Sequence, residues 1–520
     1  MPVKVLIANR GEVAIRIART LVESGYIPVG IYTADDADSL HRRFLVDDTE
    51  VSSYLDIKDV VNAAVELGAE AVHPGYGFLG ENPEFAHEVA RKGLVFIGPP
   101  PGTITLSRDK LASKTFAEKL EVPTLPWVEV HEQEDVIEFA KVHGYPVIVK
   151  ATSSGGEGIG VAWSEKEVES AIKSARSGAE KSFKDVKLYV EPYIEHAKHI
   201  EVQVLGDGDN IVHLYERECS IRRNFYQKII EEAPSPFLNA AERGRLYEYA
   251  LKLASGLRYV NAGVVKFVFD IKKREMYFTE IGTGLQAGHS ATEMITRIDL
   301  VKKQVEVALY KVLGLKQHDV MREGHAIEAC VYAENPYTGE PSQGIVKKYK
   351  EPGGPGVRVD SGIAEGSRIS GHNDPLIAKV IAWGSDRYTS VQRLERALRE
   401  YVIDGVPTNI PLLRYSVQSP EFISANYTIR YFEIGLSNVY SKMLEDSRVH
   451  AVILSTLFEY GDASVKAYSK KASLIEHVLK SEKVSSIKRR AWYYYVSLKT
   501  ALERSYSGRK SRVREERSKR

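Results

Sequence analysis

Val3-Lys4-Val5-Leu6-Ile7-Ala8-Asn9-Arg10-Gly11-Glu12 decides how the chain begins. Its apolar run, broken only by Lys4, reads as a parallel strand buried on both faces. Gly11 and the helical pattern Val13–Val22 follow, then a strand at Val29–Tyr32. Helix is expected over Val60–Leu67 and Pro83–Arg91, and strand over Ala71–His73 and Val95–Ile97. Strands alternating with helices specify a doubly wound α/β unit. Its ligand-facing loops are Asn9-Arg10-Gly11-Glu12 and His73-Pro74-Gly75-Tyr76-Gly77-Phe78, at strand ends.

Working outward, the pattern changes near Leu111. A helix over Leu111–Lys119 leads to Pro146-Val147-Ile148-Val149-Lys150, a strand closing on a lysine. The Gly/Ser loop Ser153–Gly160 comes next, then antiparallel strands at Leu188–Glu191, His199–Leu205 and Ile211–Glu216. Val264–Phe269 and Met276–Glu280 form a hairpin-like pair. From about Gly324 a β-rich stretch with Pro and Gly turns begins, closed by helices over Tyr388–Glu400 and Ile410–Tyr415. The fold class is therefore α/β and α+β, with a helical segment and a basic tail at the end.

Composition bounds the function. With 520 residues, 43% hydrophobic, 27% charged and a formal net charge of +1, the chain reads as a multi-domain globular protein. That balance gives no global attraction to nucleic acid or membrane. Cys219 and Cys330 cannot build a disulfide framework and lack metal-ligand spacing. The start reads as a strand rather than a signal peptide, and no apolar run is long enough to span a bilayer, so a cytoplasmic location is expected.

An ordered set of motifs now carries a family resemblance. It consists of Ile7-Ala8-Asn9-Arg10-Gly11-Glu12, His73-Pro74-Gly75-Tyr76-Gly77-Phe78-Leu79, Lys150 before its Gly-rich loop, Arg217-Glu218-Cys219-Ser220-Ile221, Gln227-Lys228-Ile229-Ile230-Glu231-Glu232-Ala233-Pro234, Thr292-Glu293-Met294-Ile295 and Gly356-Val357-Arg358. Together, over about residues 3–432, these resemble the biotin carboxylase subunit of acyl-CoA and pyruvate carboxylases. The resemblance implies a Rossmann-like N-terminal domain (1–112), an ATP-grasp domain with a mobile lid (113–323) and a β-rich C-terminal domain (324–436). A helical extension with a basic tail (437–520) would follow.

For the ATP half of the site, the resemblance implies that Lys110 and Lys150 touch phosphates, with Lys150 also reaching the adenine side. Glu191 would begin the hinge that pairs with adenine, and His199 would lie near the ribose. Gly155, Gly156 and Gly158 of the lid would present backbone N–H groups to phosphate. All these residue types are present, so ATP is the expected cofactor.

The carboxylation half is different. Bicarbonate calls for a guanidinium fork, its proton for a carboxylate base, the biotin enolate for a second cation, and Mg²⁺ for oxygen ligands. Relatives of this kind carry Glu-x-Asn-x-Arg-x-Gln-Val-Glu-His where this chain has Glu280-Ile281-Gly282-Thr283-Gly284-Leu285-Gln286-Ala287-Gly288-His289. Glu280 remains as a metal ligand. The resemblance puts the other metal ligands at Lys266 and Gly282, the bicarbonate arginine at Gly284, the base at Gly288 and the enolate arginine at Cys330. Lys228 stays in place as a candidate catalytic residue. Lys266 could itself stand in for a metal ion.

The expectation is thus an ATP-binding relative that has lost carboxylation and serves as a regulatory or structural subunit, with Mg²⁺ binding weakened. Alternatives are an active biotin carboxylase, or another ATP-grasp ligase, with a rearranged site. Arg19, Glu23 and Arg358 match family dimer positions, implying a homodimer or a heterodimer with a paralogue. Biotin carrier and carboxyltransferase subunits are possible partners, since no biotin attachment motif occurs in this chain. Residues 488–520 hold twelve Lys/Arg against three Glu, with Trp492-Tyr493-Tyr494-Tyr495 among them. That composition makes nucleic acid or an acidic partner a further candidate.

Overall fold

The computed structural model describes residues 2–152, 158–180, 186–223, 227–371, 373–435, 438–443 and 445. The basic stretch 488–520, the lid glycines Gly155 and Gly156, and residues 224–226 lie outside them.

The opening run forms the strand Lys4–Ile7, central in a five-stranded sheet. In space its neighbours run Asp47–Glu50, Ile27–Tyr32, Lys4–Ile7, Ala71–His73 and Val95–Phe96, all parallel. Strand order reverses between Lys4–Ile7 and Ala71–His73, so the loops after them meet at the switch point. Asn9 fastens the two loops, its Nδ2 donating to the carbonyls of Pro74 and Tyr76 at 2.8 Å each. The edge strand Asp47–Glu50 escapes the hydrophobic pattern, because Asp-Asp-Thr-Glu reads as a turn and pairing alone makes it a strand.

Helix Gly11–Glu23 buries Val13, Ala14, Ile17, Ala18 and Leu21 at the i, i+3, i+4 spacing of an apolar stripe. That stripe packs against Leu300, Val301, Val305 and Ala308 of helix Leu300–Tyr310. Arg16 locks the contact through Glu293 at 2.8 Å and Asp299 at 3.0 Å.

A smaller antiparallel sheet orders its strands Val128–Val130, Leu188–Pro192, Val147–Ala151, Ile159–Ala162. The strand Leu188–Glu191 expected beside His199–Leu205 therefore belongs to a different sheet from it. A third, eight-stranded sheet runs Glu275–Thr283, Val260–Asp270, Ala197–Asp207, Ile211–Arg223, Gln227–Ala233, His325–Tyr332, Leu376–Gly384, Val357–Ser361, antiparallel throughout. The β-rich stretch after Gly324 adds three strands to this sheet and also forms two small two-stranded sheets, Gly344–Ile345 with Arg368–Ile369 and Lys348–Lys350 with Val402–Asp404. The join is Ile230↔Ala329 through Ala233↔Ala326, and residues 1–443 make a single unit. The consequence for function is direct: alternate side chains of the strands from Ala197–Asp207 to His325–Tyr332 line one face of a continuous sheet.

Candidate functional site

Four adjacent strands of the large sheet place Arg217, Glu201, Lys266 and Glu280 in register, each directly opposite the next. Opposed side chains in a sheet lie about 5 Å apart and interact strongly when one face is buried. The row alternates in charge. Arg217 and Glu201 are fully buried, 3.4 Å apart, and Arg217 also donates to Gln203 and Thr292 at 2.8 Å. Lys266 donates to Glu280 Oε1 at 2.8 Å. Burial opposes the Lys266 charge, but Glu280 and Glu201 hold its pKa above the ordinary lysine value. Burial likewise opposes ionisation of Glu280, yet Lys266 and Lys110 hold its carboxyl far below the usual range.

The lysines expected at phosphate converge on the same place. Asp109 caps the helix Lys110–Lys119 by accepting from the N–H groups of Leu111 and Ala112, a standard use of a short acidic side chain. Lys110, in the first turn, reaches to 3.8 Å from Glu280 Oε2. Burial, then the neighbouring Lys150 and Lys266, lower its pKa, with Glu280 acting against them. Lys150 pairs with Glu191, and so does Lys114 at 2.8 Å. Lys114 escaped the sequence reading although it lies one helical turn beyond Lys110. Gly158 sits just before the strand Ile159–Ala162.

Glu191 is 2% exposed. Burial would raise its pKa, but the two ammonium groups hold it down at about 2. Since that folded-state value lies below the ordinary 4.5, the pair's contribution to stability is complete above about pH 4.5 and lost as pH falls toward 2. The shift corresponds to about 3 kcal/mol. Urea unfolding between pH 6 and pH 3 is expected to show that acid-side loss, and Glu191→Gln to flatten it; a variant with the same acid slope would disprove the assignment.

His199 accepts at Nδ1 from Arg222 at 2.6 Å. Burial and Arg222 hold it neutral, well below the ordinary histidine pKa, which suits a hydrogen-bonding role better than a cationic one. Lys228 bridges Glu201 at 2.9 Å and Glu231 at 3.2 Å. Burial opposes its charge, but the Glu201 and Glu231 carboxylates keep it protonated. Cys219 donates to Glu231 at 2.7 Å. Glu201, Glu231 and Cys219 were missed because they lie on three different strands and each needs a cross-strand neighbour to become notable.

Two of the substituted positions, Gly282 and Gly288, are crowded by neighbouring side chains. A Cβ at Gly282 would lie 2.8 Å from Val264 Cγ2 and 3.1 Å from Lys266 Cε, so the valine and the lysine stem together fill that space. At Gly288 a Cβ would lie 2.4 Å from Glu231 Oε2. The backbone there has φ −74°, which any residue adopts, so glycine is required for room alone. Gly284 is the converse: nothing lies nearer than Gly80 O at 3.8 Å, but φ is +70°, which favours glycine. Cys330 is fully buried, and burial drives its thiol pKa well up, so it offers neither charge. Beside it, burial lifts Glu328 to about 8; Lys379 opposes the rise and Glu231, directly across the strands, adds to it.

These residues do not fit a divalent cation. Glu280 already has an ammonium hydrogen-bonded to it and a second close by, and neither Lys266 nor Gly282 offers an oxygen side chain. Arg358, expected at a dimer surface, is engaged within the chain by Glu293 at 2.7 Å and Asp360 at 2.8 Å. Among the described residues, no helix is long and apolar enough to cross a membrane.

Three family models match in succession. They are the biotin carboxylase N-terminal domain over residues 1–104, the ATP-binding domain of the carbamoyl-phosphate synthase L chain over 109–316, and the biotin carboxylase C-terminal domain over 328–434. The biotin carboxylase of Halalkalibacterium halodurans is 40% identical over 439 residues, covering 82% of this chain and 96% of that protein. The mitochondrial propionyl-CoA carboxylase alpha chain of Homo sapiens is 43% identical over 450 residues, covering 84% of this chain. The chain spans only 61% of that longer relative. Among solved structures, the biotin carboxylase domain of Hydrogenobacter thermophilus 2-oxoglutarate carboxylase, a dimer described with MgADP, ADP and bicarbonate, superposes with a TM-score of 0.81. Its identity is 39%, over 84% of this chain and 98% of that one. With this order of domains and this coverage of a complete relative, the chain belongs to the biotin carboxylase family.

Proposed function

We propose that the chain binds ATP but does not carboxylate biotin, and that it acts as a regulatory or structural subunit beside an acyl-CoA or pyruvate carboxylase. One observation carries the reading: Lys266 and Glu231 fill the space over Gly282 and Gly288, while Gly284 and Cys330 supply no cation. Without a guanidinium for bicarbonate, a base at 288 or a cation for the enolate, the carboxylation half lacks its transition-state partners; loss of one such donor alone costs about 10²–10³ in rate. Lys110, Lys150 and the buried Glu191 support nucleotide binding. The same dimeric arrangement as the Hydrogenobacter domain is part of the reading, with a second copy or an active paralogue as partner.

A second reading is an active biotin carboxylase taking ATP, bicarbonate and a biotin carrier. Likeness to proteins named biotin carboxylase supports it more directly than it supports the first, as does the charged cluster of Lys228, Glu201, Arg217 and Glu231. One assay separates them. With ATP, bicarbonate and free biotin, ADP release is expected to show no bicarbonate-dependent increase, while calorimetry detects ATP binding. Bicarbonate-dependent release that Lys228→Ala abolishes would establish the second reading.

A further inference from the structure

We infer that the Lys266 ammonium is a built-in replacement for a divalent cation, so that this chain binds ATP without requiring Mg²⁺; the inference rests on the nucleotide-binding reading above. The argument lies in the four-strand row. Glu201 and Glu280 flank position 266 on its two sides, in register. A carboxylate at 266 would put three acidic side chains side by side. Like charges directly opposite destabilise a sheet, and hard carboxylate oxygens gathered this way are what a divalent cation requires. With lysine at 266 the row reads plus, minus, plus, minus from Arg217 to Glu280 and is neutral in itself.

Position 266 is well placed for that duty. The Lys266 side chain is 15% exposed and its Nζ is 2.8 Å from Glu280 Oε1, on the carboxylate that Lys110 approaches from the other oxygen at 3.8 Å. Its stem rests over Gly282, where a Cβ would meet its Cε at 3.1 Å. Glycine at 282 leaves room for both the Val264 side chain, which a Cβ would meet at 2.8 Å, and the Lys266 stem. Lys110, Lys150 and Lys266 then present three fixed positive charges to a triphosphate.

The test compares the wild-type chain with Lys266→Glu and Lys266→Met. ATP affinity of the wild type is expected to change less than about threefold between excess Mg²⁺ and EDTA. Lys266→Glu is expected to lose at least about tenfold in EDTA and recover with Mg²⁺; Lys266→Met is expected to weaken equally in both, removing charge without creating a site. A wild-type chain that loses its ATP affinity in EDTA would overturn the inference. If no variant binds ATP in either condition, the nucleotide reading falls, and Mn²⁺ uptake by equilibrium dialysis still decides the row. Lys266→Glu is expected to take up one more Mn²⁺ per chain than wild type, and equal uptake would overturn the inference.

Discussion

Replacing Glu191 with alanine is expected to destabilise the chain by about 3–5 kcal/mol, the cost of leaving buried charge uncompensated. Two ammonium groups depend on that carboxylate. Lys114 is 1% exposed and has Glu191 at 2.8 Å; Lys150 pairs with the other oxygen. Removing the acid leaves both cations in low dielectric with no comparable partner in the ATP half, and the helix Lys110–Lys119 loses its anchor to the strand Leu188–Pro192. ATP affinity is expected to fall at least about tenfold with it. Glu191→Gln keeps the shape and hydrogen-bonding capacity, so its loss is expected to be smaller. Urea unfolding and calorimetry measure the two effects. A loss below about 1 kcal/mol for Glu191→Ala would show that the pair is merely a surface-type contact.

Much of this site was legible before the fold was known, for a definite reason. Lys110, Lys150 and Glu191 sit at or next to the ends of their elements, Glu280 lies within the strand Glu275–Thr283, and motifs on both sides held their register. Gly282, Gly284 and Gly288 stood out because a side chain's absence is visible in sequence. What occupies the space they leave was not visible. Lys266 lies 16 residues before Gly282 and meets it only across a strand pair. Glu231 reaches Gly288 from a strand 57 residues earlier. Cross-strand contact at such separations is fixed by sheet order, which no local period encodes. The same limit hid how the domain after Gly324 joins the rest: continuity of the eight-stranded sheet depends on the pairing of Gln227–Ala233 with His325–Tyr332, not on either sequence. At Gly282 and Gly288 neighbouring side chains occupy the space a Cβ would need, whereas Gly284 stays open.

That crowding at Gly288 makes a reversion experiment informative. Restoring a carboxylate by Gly288→Glu is expected to yield no carboxylation and to destabilise by about 3 kcal/mol or more, since overpacking is joined by an unpaired buried charge. Even Gly288→Ala should cost about 1–3 kcal/mol, because its Cβ would press on a carboxylate that cannot easily move. Glu231 is fully buried and held by Cys219 at 2.7 Å and Lys228 at 3.2 Å, while the Cβ would lie 2.4 Å from its Oε2 and 2.8 Å from its Cδ. The source of the strain can be isolated. Glu231→Ala alone removes a partner of Lys228, which retains Glu201 at 2.9 Å, and opens the contested volume. In that background the three atoms nearest to the Gly288→Ala Cβ, all from Glu231, are gone. A double-mutant cycle by urea unfolding is therefore expected to give a double variant less destabilised than the sum of the singles by at least about 1 kcal/mol, the size typical of residues in contact. Strict additivity would mean that Glu231 does not hold the place of the side chain at 288, and that the glycine there answers to some other constraint.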